Sequence, residues 1–378
     1  MKAFVTLASA ATVAAVLAGG AWITSCGPRG FPDEAVVNSV RILATRADHP
    51  YAKPGETVTL TVLATDQRAS KPEPMVIYWL PDLLTGQFFC ENPPNDAYYG
   101  CFTPSDAGAR SGASSSDAGQ HDAGPGGGRV PPCATFQPGI DLSPCLPVGP
   151  TLAVSLPKDI ITSHPPVMGT TVPYGVAIVF NMACAGHPEV LPVDQANLSV
   201  NQLPIGCFDQ NHNLLSADSY VIGYATLYSY ETLTNQNPVI ANVLFQGKDL
   251  DGGFLGDSSP EQDAGAPGEG GVVIAHCTAS KVAECPSVTF DVSVPPSSQE
   301  RDLLDKPLGE QLWVDYYITA GTLSDDARLL YDPTLGKVTT GTSTNYQAPM
   351  SPTPGTFWAV VHDNRGGVAW DAVPFLVK

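Results

Sequence analysis

Histidines, cysteines, carboxylates and tyrosines are the residues of this 378-residue chain from which chemistry could be built, and their spacing argues for binding over turnover. The seven histidines, His49, His121, His164, His187, His212, His276 and His362, are scattered. None sits in a His-Glu-x-x-His pair, and the chain has neither a Gly-x-Ser-x-Gly elbow nor a phosphate-cradling glycine loop. A Ser-His-Asp triad can assemble from distant residues, so missing motifs lower the expectation of catalysis without abolishing it. Cys184-Ala185-Gly186-His187 and His276-Cys277 bring thiol and imidazole together, but no second couple follows at zinc-finger spacing, and no transition-metal site is expected. Asp249 and Asp251 precede the Gly252-Gly253 turn, with Asp257 nearby, which makes a weak calcium candidate. The bidentate Glu of an EF-hand is missing, and ordinary turn chemistry explains these residues better. Asp325-Asp326 reads as a water-facing turn. Tyr220, Tyr224 and Tyr228 form a stripe that could stack on sugar rings or meet a partner, although tyrosines also simply fill the exposed face of a strand.

The elements that must position these residues read as strands. Val58, Leu60, Val62 and Ala64 alternate with threonines after the turn residues Pro54-Gly55-Glu56, giving a half-buried strand. Val40, Ile42 and Ala44 precede it; 75–80, with Trp79, 152–156, 174–182 and 219–230 follow. In the last of these the tyrosine spacing would also suit a helix, but Gly223 and the β-branched and aromatic content favour a strand. A second series repeats this order: 239–245, then Val288, Phe290, Val292 and Val294, then Leu312, Val314, Tyr316 and Ile318 with Trp313 on the other face, then 344–347. It closes with 357–362 and 368–377 across the turn Asp363-Asn364-Arg365-Gly366-Gly367. The repetition suggests internal duplication. Between the strands, 103–132 holds Asp106-Ala107-Gly108, Asp117-Ala118-Gly119 and Asp122-Ala123-Gly124, and 256–271 holds Asp263-Ala264-Gly265. Such stretches bury too little apolar surface to order themselves and read as spacers.

The N-terminus carries a different chemistry. Met1-Lys2 is followed by an uncharged, apolar run to Ser25, the layout of a secretory signal peptide. Its end, Ile23-Thr24-Ser25-Cys26, resembles the bacterial lipobox, with an aliphatic residue, two small residues and an obligatory cysteine. The resemblance implies a diacylglycerol thioether on Cys26, cleavage before it and acylation of the new amine, for instance with palmitate. More than one acyl chain, at about 0.8 kcal/mol per buried methylene, anchors essentially irreversibly. Gly27 at the sorting position implies an outer-membrane lipoprotein, on its periplasmic or its surface-exposed face. Loss of Lys2 takes the net charge from −19 to −20, an acidity that argues against nucleic acid and against binding anionic lipid through the protein body. Of nine cysteines, eight then remain: Cys90, Cys101, Cys133, Cys145, Cys184, Cys207, Cys277 and Cys285. In an oxidising compartment the simplest reading is four disulfides, with Cys184–Cys207 and Cys277–Cys285 expected first from their proximity.

The run Pro54-Gly55-Glu56-Thr57-Val58-Thr59-Leu60 resembles the turn-into-strand signature of bacterial immunoglobulin-like domains. Thr319-Ala320-Gly321-Thr322, Tyr346-Gln347-Ala348-Pro349 and Gly355-Thr356-Phe357 resemble later strands of that fold. With its lipobox and Asp-Ala-Gly spacers the whole chain resembles surface lipoproteins of the myxobacterial type. The resemblance implies an all-β chain of two tandem immunoglobulin-like β-sandwiches and carries no active site. The expected organisation is a signal peptide at 1–25, a lipid tether at 26–35, a sandwich at 36–235 and a sandwich at 237–378. The first sandwich has inserts at 82–150 and 184–207, the second a low-complexity insert at 256–271. The expected role is a non-catalytic envelope or surface component without cofactor beyond its lipid, meeting a protein or glycan partner. A carbohydrate-binding or adhesive module is the alternative, and a hydrolase a distant third.

Overall fold

Alternation decides the strands. In Thr57–Asp66 the side chains of Val58, Leu60 and Val62 are fully buried while Thr57 faces solvent, as expected of a strand with one face on a core. A computed structural model describes residues 34–80, 89–90, 99–100, 139–163, 172–191, 205–250, 272–280, 284–298, 309–333, 337–339 and 341–378, with 89–90, 99–100 and 337–338 as backbone alone. The readings made at Cys26, Cys101, Cys133, Asp251, Asp257, His121, His164 and the Asp-Ala-Gly stretches lie outside the described residues, as does the side chain of Cys90.

The first series of strands is β1 (Val40–Ala47), β2 (Tyr51–Ala52), β3 (Thr57–Asp66), β4 (Val76–Leu80), β5 (Phe89–Cys90), β6 (Tyr99–Gly100), β7 (Thr151–Ser155), β8 (Gly175–Cys184), β9 (His187–Val190), β10 (Ile205–Phe208) and β11 (Tyr220–Ser229). The second is β12 (Asn242–Phe245), β13 (Lys248–Asp249), β14 (Val272–Ile274), β15 (Ser287–Ser293), β16 (Leu312–Ile318), β17 (Thr322–Leu323), β18 (Ala327–Asp332), β19 (Lys337–Val338), β20 (Thr344–Gln347), β21 (Thr353–Asp363) and β22 (Val368–Val377). Short 3₁₀ turns at Ser143–Cys145, Ala217–Ser219 and Pro296–Ser298 interrupt them, and the described residues contain no α-helix.

Both series build the same sandwich. One sheet is β1-β3-β7 in the first and β13-β12-β15-β20-β17 in the second. The facing sheet has β8 between β11 and the pair β4 and β5, matched by β21 between β22 and β16. In each, a short strand runs parallel to the last long one, β2 along β11 and β14 along β22. The chain is therefore all-β, two tandem immunoglobulin-like sandwiches. The first core holds Val58, Leu60, Ile77, Trp79, Val179 and Leu227, with the Trp79 indole N–H donating to the Gly149 carbonyl at 2.9 Å. The second is aromatic: Phe290 stacks on Phe357 at 4.2 Å between ring centroids, and Tyr316, Tyr346 and Phe375 close round them. Gly355 has no choice of side chain here, because a Cβ would stand 2.2 Å from the Phe375 ring.

The sheet β11-β8-β4 is covered on both faces. Ile77, Trp79, Ala177 and Val179 point into the sandwich, whereas Tyr78, Leu80, Met182 and Cys184 point outward into a second small core with Leu142, Leu146, Val190, Ile205 and Cys207. Residues 139–146 and the β9–β10 hairpin, which belong to the expected inserts, form its roof.

The two sandwiches share an apolar seam within the compact unit Ala35–Lys378. Leu43 and Ala44 of β1 pack with Leu63 against Trp358, Val360, Val368 and Trp370, and the Arg46 guanidinium lies 4.6 Å over the Trp370 ring. Ahead of β1, the Val37 N–H donates to the Ile318 carbonyl and the Ile318 N–H to the Ala35 carbonyl, both at 2.8 Å. The expected boundary near residue 236 is stitched to both sides. Asn237 donates to the Ala47 carbonyl at 2.7 Å and accepts from the Val368 N–H at 2.9 Å, while buried Asn235 donates to Asp363 at 3.0 Å.

Candidate functional site

The connection from β8 to β11 carries the densest chemistry. Cys184 ends β8 and is bonded to Cys207 in β10, 23 residues on, with the two Cα atoms 5.8 Å apart. Gly186 then lets the chain turn back: a Cβ there would meet the Phe208 carbonyl oxygen at 2.2 Å. β9 follows, paired antiparallel with β10 so that His187 lies opposite Phe208 and Glu189 opposite Gly206. A period of two puts His187 and Glu189 on one face. On the other edge of β9, the Leu142 N–H donates to the Pro188 carbonyl at 2.8 Å and the Gly139 N–H to the Val190 carbonyl at 3.0 Å. Tyr78 reaches up from beneath to donate to the Gly186 carbonyl at 3.1 Å, and burial pushes its phenol up to about 12, so it remains a donor.

The third residue comes from the turn after β10. Asp209 accepts from the Asn211 N–H at 2.8 Å, the Asn213 N–H at 2.9 Å and the Asn213 side-chain amide at 3.0 Å. These bonds, that from the Asn213 backbone first, hold its carboxyl below the usual carboxylate range. The turn carries His212 in the left-handed region, φ 60°. His212 Nδ1 lies 2.5 Å and His187 Nε2 2.6 Å from the same Glu189 Oε1. Glu189 is 2% exposed and His212 65% exposed, so the cluster is a buried carboxylate under two imidazoles that opens to solvent on the His212 side. The rings meet edge to face at 5.6 Å between centroids. The three side chains are set for a shared proton network or for one ion, since their potential donor atoms all lie within 4.8 Å of one another.

Reading the sequence by Cys/His pairs missed this constellation. Cys184 is bonded to Cys207 and Cys277 to Cys285, the two pairings expected from their proximity, and Cys145 is also disulfide-bonded. The available signal was His187-x-Glu189 on a short strand, with His212 in a turn held by Asp209.

The tyrosine stripe is divided by its surroundings. Tyr220 packs against the small outer core, and Tyr224 stands 64% exposed with Phe180 6.1 Å away. Tyr228 joins a group with Tyr51, Tyr174 and Tyr230, in which Tyr51 and Tyr230 are 4.6 Å apart. Burial is the first cause of a raised phenol pKa at Tyr51 and at Tyr230. Of the calcium candidates, Asp249 is an exposed residue of β13 opposite Leu244. Asp325 pairs with Arg328, so Asp325-Asp326 is not a free acid pair.

No family model and no curated protein matches this chain. Among solved structures, it is similar to dimeric latent PorU from Porphyromonas gingivalis at 11% identity and a TM-score of 0.19, over 91% of this chain and 24% of that one. It is also similar to Escherichia coli alpha-2-macroglobulin activated by porcine elastase at 11% identity and a TM-score of 0.17, over 92% of this chain and 22% of that one. The chain thus spans about a quarter of the length of those structures.

Proposed function

We propose that the protein is a lipid-anchored component of the outer membrane of a bacterial cell envelope, with a structural or protein-interaction role and no catalysis of its own. The observation that carries the interaction role is the disulfide-tied elaboration between β8 and β11. A loop of that length needs no core merely to connect two strands, yet this one has a second apolar core beneath it and presents Leu214 and His212 to solvent, with the exposed Tyr224 of β11 on the strand that follows. Loops positioned by a rigid sandwich are a usual place for recognition. Anchoring rests on Ile23-Thr24-Ser25-Cys26 at the close of the apolar N-terminal run.

Two measurements test this reading. Cys26→Ser should give an uncleaved precursor without palmitate label; labelling and processing that persist would remove the anchor. Capture from detergent-solubilised envelopes should recover a partner protein with the native chain and much less with Tyr224→Ala. Equal recovery would move the interaction elsewhere. Recovery of glycan in place of protein would favour the carbohydrate-binding alternative, to which an exposed Tyr224 near Phe180 is suited.

A further inference from the structure

We propose that His187, Glu189 and His212 form a three-ligand site for a divalent transition-metal ion of the zinc type. The inference goes beyond the display role, and the site would hold its ion whichever partner the protein meets.

Donor chemistry selects the class of ion. Two imidazole nitrogens and one carboxylate oxygen suit zinc, nickel, cobalt or copper; calcium and magnesium prefer sites made of oxygen. The thiols nearby are not donors, since Cys184 and Cys207 are spent on each other.

Geometry agrees. Zinc binds histidine nitrogen and carboxylate oxygen at about 2.0–2.2 Å, which places neighbouring ligand atoms of a tetrahedron about 3.3 Å apart. Here both nitrogens stand 2.5 and 2.6 Å from Glu189 Oε1. An ion would need them to spread by less than about 1 Å, within reach of side-chain torsions alone. A buried carboxylate is costly unless it is paired or bound to a metal, and here the two imidazoles supply a pairing that an ion between the three donors would take over.

The supports are also those of a metal site, where the residues behind the ligands hold them in aim. His187 and Glu189 share a face of β9, which is hydrogen-bonded along both edges, to β10 and to residues 139–142. His212 is fixed by a turn in which the Asp209 carboxylate accepts hydrogen bonds from Asn211 and Asn213. The disulfide joins the end of β8 to β10, so the hairpin cannot drift from the sheet below it. Three protein ligands leave one tetrahedral position open, and with His212 65% exposed that position faces solvent, where a water or a donor from another molecule would complete the shell.

The test uses the full chain, metal-free and without a polyhistidine tag, titrated calorimetrically with Zn²⁺ and separately with Ca²⁺ and Mg²⁺. One equivalent of Zn²⁺ should bind, and neither hard cation should compete for it. Co²⁺ in place of Zn²⁺ should give visible d–d bands without thiolate charge transfer. His212→Asn keeps a residue that tolerates the left-handed backbone, and Glu189→Gln keeps the shape of the side chain. Each should weaken Zn²⁺ binding at least about 100-fold, given that loss of an outer-shell partner alone commonly costs 10–100-fold. Zn²⁺ should raise the melting temperature of the native chain and leave that of the variants unchanged. Failure of the native chain to bind one equivalent would overturn the proposal, as would undiminished binding by His212→Asn. The second result decides the matter even if Glu189→Gln does not fold.

Discussion

At the scale of single residues, Asp371 carries a clear electrostatic consequence. It shares a face of β22 with Val373 and Phe375, and burial raises its carboxyl to about 6 despite a hydrogen bond from the Ala372 N–H at 2.8 Å. A carboxyl with its folded value above the unfolded one holds its proton more tightly when folded. Its charge therefore costs stability progressively as pH rises from about 4 to about 6, and the cost persists above that. Asp371→Asn should stabilise the protein at pH 7 by about 1–2 kcal/mol, discounted for partial exposure, and leave it unchanged near pH 3.5. Chemical denaturation at the two pH values checks this, and equal gains at both would contradict the assignment. Chemistry at this scale was the least legible in the sequence. Glu189 and His212 lie 23 residues apart and meet only because β9 and the turn after β10 fold over the same sheet. Nothing in local spacing announces such a meeting, whereas the turn at Asp363 was legible because its glycines and asparagine state its backbone directly.

At the scale of elements, the β9–β10 hairpin over the outer core is tied to β8 by the Cys184–Cys207 bond. Closing a loop of this length contributes about 3 kcal/mol in the chain-entropy account. Replacing both Cys184 and Cys207 by Ala should lower stability by that order. The hairpin β9–β10 should then exchange its amide hydrogens faster while β3 and β8 stay protected, as native-state exchange would show. Uniform loss of protection would mean that the hairpin is not a separate unit. Long strands were legible because burial of one face imposes alternation, as in β3, or because two-sided burial gives a nearly continuous apolar run, as in β8. The short strands Tyr51–Ala52 and Val272–Ile274 were not, because two or three residues are too few to show a period. Their parallel pairing with β11 and β22 is set by the neighbouring strand and not by their own composition. β18 escaped notice because Arg328 and Asp332 break its apolar pattern.

At the scale of the molecule, the repeated sandwich was legible in the repeated strand order, but the seam was not, since β1 and β3 join β21 and β22, far off in sequence, to make it. Trp358 is 5% exposed and belongs to the same cluster as Leu43 and Ala44 of β1 in the other sandwich. Heating the native chain should give one cooperative transition. Trp358→Ala should cost about 3–5 kcal/mol and separate the melting of the two sandwiches, which calorimetry would resolve as two peaks. A single peak in the variant would show that other contacts suffice to couple them. The stitching of residues 35–37 to Ile318 has a mechanical meaning. Tension applied through the segment before residue 35 would not first reach β1. It would enter the middle of the protein, on β16 of the second sandwich, and act on both sandwiches at their shared seam. Load would be shared by two folded bodies where they already pack together.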